Sequence, residues 1–221
     1  MPQTVPAPTI EPFALGPFMT NCYLVHAGKG SDAWIVDAGF EPAPLLSKAR
    51  SLGVRVRAIL LTHAHVDHIA GLNEARAAFP DAPILIHAEE ERWLNDPELN
   101  LSAGHGFPIT APPADALLKD GETLEINGSL WRVLHTPGHS PGGVTFHCPG
   151  AGVALVGDTL FNGSVGRFDF PTSDERALVR SIKETLYTLP DATRVLPGHG
   201  PATTIGREKT SNPFVRAEPA R

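Results

Sequence analysis

The stretch "VRAILLTHAHVDHIAG", residues 56–71, constrains this chain more than any other. An apolar, strand-like run from Val56 to Leu61 ends in three histidines and an aspartate within six residues, and the helix-like "IAGLNEARAAF" follows. Titratable side chains crowded at a strand-to-helix junction form either a polar surface loop or one edge of a site. Where the other histidines and aspartates fall decides between the two.

Strand-like runs recur along the chain: "CYLVH" (22–26), "AWIVDAG" (33–39), "RAILLTH" (57–63), "PILIHA" (83–88), "LWRVLHT" (130–136), "GVTFHC" (143–148), "GVALVGD" (152–158) and "ATRVLPG" (192–198). Several are continuously apolar, as in strands buried on both faces. Helical patterns lie between some of them. "EPAPLLSKARSL" carries Leu45, Leu46, Ala49 and Leu52 on one side. "TSDERALVRSIKETLYTL" spaces Leu178, Ile182 and Leu186 four apart, with Thr172 and Glu175 placed like a capping box. Strands interleaved with helices predict an α/β architecture. At 221 residues the chain reads as one domain, 1–221, with an irregular stretch at 95–121 and a short polar tail after about 206.

Composition removes several classes of function. A net charge of −6 lacks the basic excess of a broad nucleic-acid surface. Cys22 and Cys148 form no CxxC pair, so they read as reduced, buried small hydrophobes rather than a redox or thiolate-metal site. The start "MPQTVPAPTIEPF" has no basic, apolar leader, and no run approaches the roughly 18 apolar residues of a membrane span. The expectation is a cytoplasmic protein with no nucleic-acid or membrane partner, its oligomeric state left open.

The ten histidines lie at 26, 63, 65, 68, 87, 105, 135, 139, 147 and 199. Beyond the opening cluster, His139 in "HTPGHSPGG" and His199 in "LPGHGPA" sit in turns just after a strand, and Asp158 ends a strand in "ALVGDTLF". Side chains at strand exits can converge on one edge of a sheet. Neutral imidazole and carboxylate suit zinc, at about 2.0–2.2 Å. Alternation puts His63 and His65 on one side of an extended segment, while Asp67 and His68 face a second position as the helix begins. Two metals roughly 3.5–4 Å apart need about this many ligands and a shared carboxylate, for which Asp158 is the candidate. Any one of these histidines alone is more often structural; the ordered combination is what points to metal.

With "TNCYLV", "WIVDAG", "THAHVDHIAG", "TPGHS", "GDTLF" and "LPGHGP" in that order, most of the chain resembles the metallo-β-lactamase-fold hydrolases. Within them it resembles the glyoxalase II-like (hydroxyacylglutathione hydrolase) group. "GSVGRFDF" and "TIGREKTSNPF" look like its short bacterial branch, which lacks the C-terminal helical domain. The resemblance implies a four-layer αββα sandwich with a dinuclear site at one edge. It implies that His63, His65 and His139 hold one metal, Asp67, His68 and His199 the other, and that Asp158 bridges. Zinc is the expected metal, and iron or manganese could occupy the same ligands. Asp37 is expected to orient the metal-binding loops by hydrogen bonding, and Gly71 to allow close packing at the helix start. His26, His87, His105, His135 and His147 match no ligand position, with His105 in the irregular stretch the foremost exception.

The implied activity is hydrolysis of a thioester, glutathione-derived, such as S-lactoylglutathione. A metal-bound hydroxide attacks the carbonyl, and Asp67 and Asp158 are the carboxylates placed at the reacting centre. Arg167 sits where the group places a basic glutathione-contacting residue; Arg207 and Lys209 are weaker candidates, and a surface ion pair is the bland reading of all three. Two departures bear on glutathione. His199 is followed by 22 residues, 200 to 221, and by Gly200 and Pro201 where full-length members resemble "HEY". The nearest rival is a persulfide dioxygenase of the same fold with one iron. A β-lactamase and a nuclease are weaker readings, and a non-catalytic metal-binding module is the alternative of a different class.

Overall fold

The computed structural model describes residues 7–217. Two six-stranded sheets face each other, with helices on both outer surfaces, so the αββα sandwich implied by the resemblance is the architecture. The first sheet runs in order β1 (Thr9–Leu15), β2 (Thr20–His26), β3 (Asp32–Val36), β4 (Arg55–Leu60), β5 (Ile84–His87) and β6 (Ala116–Leu118). The second contains β7 (Thr123–Ile126), β8 (Ser129–His135), β9 (Val144–Cys148), β10 (Val153–Gly157), β13 (Arg194–Pro197) and β14 (Thr203–Thr204), in the order β14-β13-β10-β9-β8-β7. A small hairpin, β11 (Leu160–Phe161) with β12 (Ser164–Val165), stands apart from both. The helices are α1 (Ala43–Leu52), α2 (Val66–Ile69), α3 (Leu72–Ala78), α4 (Glu175–Arg180) and α5 (Ile205–Ser211).

The continuously apolar strands are explained by three stacked cores. Successive strand residues point to opposite faces, and both faces of each central strand are covered. On β2 and β3, Tyr23, Val25, Trp34 and Val36 point between the sheets, where they meet Trp131, Val133 and Phe146. Leu24, Ala33 and Ile35 point outward onto Leu45, Ala49 and Leu72 of α1 and α3. On the far side, Ala154, Val156 and Val195 meet Leu178, Ile182 and Ile205. Trp34 and Trp131 pack edge to face across the central layer at 5.9 Å. Full burial of each large side chain in these layers contributes about 1.5–3 kcal/mol.

Several elements differ from the sequence expectation. β1 went unpredicted because Pro12 interrupts it; it lies at the sheet edge, where a missing N–H is tolerated. The irregular stretch at 95–121 contains a short 3₁₀ turn, Ala103–His105, and the edge strand β6. Helix α4 is capped by Asp174, whose side chain accepts from Ala177 N, and not by the Thr172–Glu175 box; it continues as a π-helical turn over Ser181–Thr185. The polar segment after about 206 forms most of α5 and packs against the body. α5 is capped by Thr204, and Ile205, Glu208, Asn212 and Val215 are buried. Glu208 accepts from Gly163 N and Asn212 Nδ2, and Asn212 donates to Ser164 O, so this segment fastens the β11–β12 hairpin. Cys22 and Cys148 are buried and unpaired. Among the described residues, no helix is long and apolar enough to cross a membrane.

Candidate metal centre

Five strand exits deliver polar side chains to one edge of the sandwich. The chain leaving β4 carries His63 and His65 and turns into α2, which bears Asp67 and His68. The exits of β8, β10 and β13 carry His139, Asp158 and His199, and the exit of β3 carries Asp37. The structure brings all seven predicted ligands together. Ligand atoms of His63, His65 and His139 lie within 4.8 Å of one another, as do those of Asp67, His68 and His199. Asp158 lies between these trios: its Oδ1 is 3.4 Å from His68 Nε2, and its Oδ2 is 3.6 Å from His139 Nε2 and 3.4 Å from His199 Nε2.

The residues fit a cation. Nε2 of His63, His65 and His68 and Oδ1 of Asp158 are buried without any hydrogen-bond partner, a costly state unless something else satisfies them. Imidazole nitrogens and carboxylate oxygens converging at this spacing are the donor set of zinc or iron.

Hydrogen bonds at the back of the cluster set which nitrogen of His63 and of His68 is free, while His65 Nδ1 and His139 Nε2 meet each other at 2.8 Å. His68 Nδ1 donates to Asp37 Oδ2 at 2.8 Å, leaving Nε2 for the site. Asp37 also accepts from Thr62 N at 2.8 Å and from Thr62 Oγ1 at 2.7 Å. Since that hydroxyl spends its proton on Asp37, it accepts from His63 Nδ1 at 3.1 Å and leaves His63 Nε2 free. Asp37 therefore fixes imidazole rings in both trios, directly for His68 and through Thr62 for His63, and it does so from a left-handed backbone, φ 60°. His139 Nδ1 donates to the carbonyl of Arg167 at 2.8 Å. Sequence reasoning gave Arg167 a role only through its side chain.

Other supports were missed. Thr20 Oγ1 donates to Asp67 Oδ2 at 2.8 Å. Asn21 donates through its side chain to the carbonyls of Pro197 and Gly200, and through its backbone to that of Gly198; Tyr23 OH donates to Pro197 O at 2.6 Å. The "TNCY" motif thus grips the His199 loop from the opposite sheet. Ser173 and Ser181 bind the carbonyls of His139 and Pro137, fixing the other loop against α4. A Cβ at Gly198 would strike Asp158 Oδ1 and the His68 ring, so only glycine fits between them. Gly71 plays the packing role expected of it, against Gly39 and Pro42.

The two trios differ in charge. Burial, reinforced by neighbouring imidazoles, holds His63 well below the usual histidine range and His65 at about 3. Burial also lowers His139, against the pull of Asp158. Burial thus favours the neutral form of all three rings, the form in which imidazole binds a cation. In the second group burial is outweighed: Asp67, Asp158 and Asp37 hold His68 well above its usual range, and Asp158 and Asp67 raise His199 to about 9. Against the same burial, His68 and His199 hold Asp67 at about 2 and Asp158 well below the carboxylate range.

A cavity of about 230 Å³ opens over the cluster, lined by Phe18, Leu101, His105, Phe161, Arg167 and Phe170 among others. His105 packs between Phe18 and Phe107 at this rim. Arg167 lies at the mouth with its guanidinium paired to Asp169 through two 2.9 Å bonds and stacked on Phe170. A larger hollow of about 700 Å³, near Leu130, Arg132 and Cys148, gathers no convergent titratable groups. Away from the centre, His26 pairs with Glu11, His87 stacks on His135, and His147 is buried in β9. Arg207 lies exposed beside Glu208, and Lys209 pairs with Asp191.

Comparison with known proteins agrees with this geometry. The family model described as the metallo-beta-lactamase superfamily matches residues 15–199. A probable metallo-hydrolase, YqgX of Bacillus subtilis, is 40% identical over 91% of this chain and 94% of its own. Hydroxyacylglutathione hydrolase GloC of Haemophilus influenzae is 34% identical over 95% of this chain and 99% of its own. Among solved structures, BLEG-1 B3 metallo-beta-lactamase superposes with a TM-score of 0.89 at 40% identity, covering 94% of this chain and 99% of that one. TTHA1623 in a di-iron-bound form gives 0.81 at 40% identity, covering 93% and 100%. The chain is a metal-dependent hydrolase by family, and it belongs to the metallo-β-lactamase superfamily.

Proposed function

We propose that the protein is a dinuclear thioester hydrolase acting on a glutathione-derived substrate such as S-lactoylglutathione. In this reading His63, His65 and His139 would hold one divalent ion and Asp67, His68 and His199 the other, with Asp158 available to both. The observation that carries it is the position of Asp158, whose Oδ2 lies 3.6 Å from His139 Nε2 of one trio and 3.4 Å from His199 Nε2 of the other, with Oδ1 3.4 Å from His68 Nε2. Two ions bound there supply a nucleophile from water at neutral pH and a Lewis acid for the carbonyl oxygen.

The chain's own residues do the rest. Asp37 and Thr62 hold the imidazoles of His63 and His68 in the tautomer that presents Nε2. Thr20 fixes one oxygen of Asp67. The aromatic rim seats the acyl end and limits access of bulk water, while Arg167 offers a cation at the mouth for an anionic leaving group. Whole-length similarity to GloC supports the glutathione thioester. The di-iron relative leaves iron beside zinc as the metal.

The test is release of free thiol from S-D-lactoylglutathione by protein loaded with zinc or iron, beside a β-lactam and beside oxygen uptake with glutathione persulfide. The β-lactam belongs in the panel because a relative at 40% identity is named a β-lactamase. Thiol release as the fastest reaction supports the proposal; a faster turnover of either alternative, or of none, overturns it.

A further inference from the structure

Outside the ligand set, the most unusual group near the site is Glu90. It lies in the 3₁₀ turn Ala88–Asn95 after β5, fully buried. Its Oε2 accepts from Ala64 N at 2.6 Å and its Oε1 from Gly142 N at 2.7 Å. Ala64 stands between His63 and His65, and Gly142 follows His139 by three residues. The two loops leave different sheets. No Lys or Arg pairs with this carboxylate among the described residues. Burial pushes its carboxyl up to about 7, against the nearby Ser140 hydroxyl and the two N–H groups that favour the charged form.

A buried acid without a cation is costly to keep, so its geometry has to be sought in what it joins. Two N–H donors arriving from separate loops require two acceptor oxygens on one rigid plane. Among side chains of this length only a carboxylate offers both; a glutamine would turn an NH₂ toward one of the N–H groups. The side chain also fits closely, since a Cβ at Gly142 would come within 2.9 Å of Glu90 Cγ. Among the described residues, no hydrogen bond joins Glu90 to α2, which bears Asp67 and His68, or to the His199 loop.

We infer that Glu90 is a positioning residue for one of the two metal sites: by clamping the Ala64 and Gly142 amides, it sets the separation of the His63–His65 segment from His139. The inference rests on the assignment of two trios made above, and it predicts an asymmetry that a general packing role does not. Loss of the clamp weakens binding at the His63–His65–His139 site and leaves the Asp67–His68–His199 site near its original affinity. Partners that orient ligands in this way typically contribute about 10–100-fold in affinity.

The experiment is Co(II) titration of the metal-free full chain, followed by its absorption spectrum and by competition with a chelator, for wild type, Glu90→Gln and Gly142→Ala. The second variant leaves Glu90 in place and presses a methyl against it. Two bound ions in the wild type, with one weakened about 10–100-fold in Glu90→Gln and in the same direction in Gly142→Ala, support the inference. Two ions bound with wild-type affinities in the folded variants, or equal weakening of both, overturn it. Should Glu90→Gln not fold, Gly142→Ala decides by the same criterion. A wild type that never binds a second ion contradicts the two-site assignment itself, so the two failures are distinguishable.

Discussion

Asp37 accepts the Nδ1–H of His68 at 2.8 Å, with both side chains buried, and the same carboxylate takes the N–H and O–H of Thr62. One acid at a strand exit thus fixes rings belonging to both halves of the centre. Asp37→Asn keeps a residue that tolerates the left-handed backbone but removes one acceptor. Metal affinity is expected to fall about 10–100-fold, most at the site containing His68. Chelator competition measures it, and unchanged affinities would count against the relay.

Gly198 separates Asp158 from His68 with no room for a methyl group. Gly198→Ala removes no ligand, yet it is expected to destabilise by about 1–3 kcal/mol through overpacking. For a chain of this size, that lowers Tm by roughly 2–4 °C per kcal/mol. Bound metal is expected to fall with it. Thermal melting with metal analysis decides the matter; a variant melting with the wild type and carrying its full metal would show that the site relaxes freely.

The charge difference between the trios gives a pH dependence. In metal-free protein the pKa of His199 is raised to about 9 from 6.5. Its contribution to stability is therefore fully present below pH 6.5 and is lost as pH rises through about 9. Metal binding requires the unprotonated ring and releases that proton. The stabilisation conferred by metal should accordingly grow from pH 6.5 to 9. Melting curves with and without metal across that range test the sign; a gain that shrinks with pH contradicts it.

Arg167 and Asp169 share a bidentate ion pair at the mouth of the cavity. Both side chains are largely exposed, so solvent screens the pair and its effect is small. For an anionic glutathione thioester, Asp169→Asn is expected to lower KM and Arg167→Ala to raise it, each about threefold, with kcat little changed. Steady-state kinetics on the two variants show whether the shifts are opposite. Shifts of the same sign would remove Arg167 as a substrate contact.

Much of this was legible in the residues themselves. The central strands read clearly because burial on both faces leaves continuous apolar runs, as in "WIV" and "ALV". The candidate cluster read clearly because His63, His65, Asp67 and His68 lie within six residues, with His139, Asp158 and His199 each following a strand. Less visible was β1, where Pro12 and partly exposed neighbours hide the pattern. α5 was obscured by its polar composition, since Glu208 and Asn212 are buried through hydrogen bonds to a distant hairpin. The groups that hold the centre from behind (Thr20, Asn21, Tyr23, Glu90 and Gly198) escaped for one physical reason. Each acts on a loop far away in sequence, and no local spacing encodes such a contact.

The most direct measurement is thiol release from S-D-lactoylglutathione by metal-loaded wild type and by Asp158→Ala, each normalised to its bound metal. Asp158 is the carboxylate whose oxygens approach ligand atoms of both trios, so the account predicts rapid release by the wild type with two ions bound. In the variant it predicts a loss beyond the roughly 10–100-fold of outer partners and fewer than two ions retained. A variant that keeps two ions and wild-type turnover would contradict the account, as would a fully loaded wild type that releases no thiol.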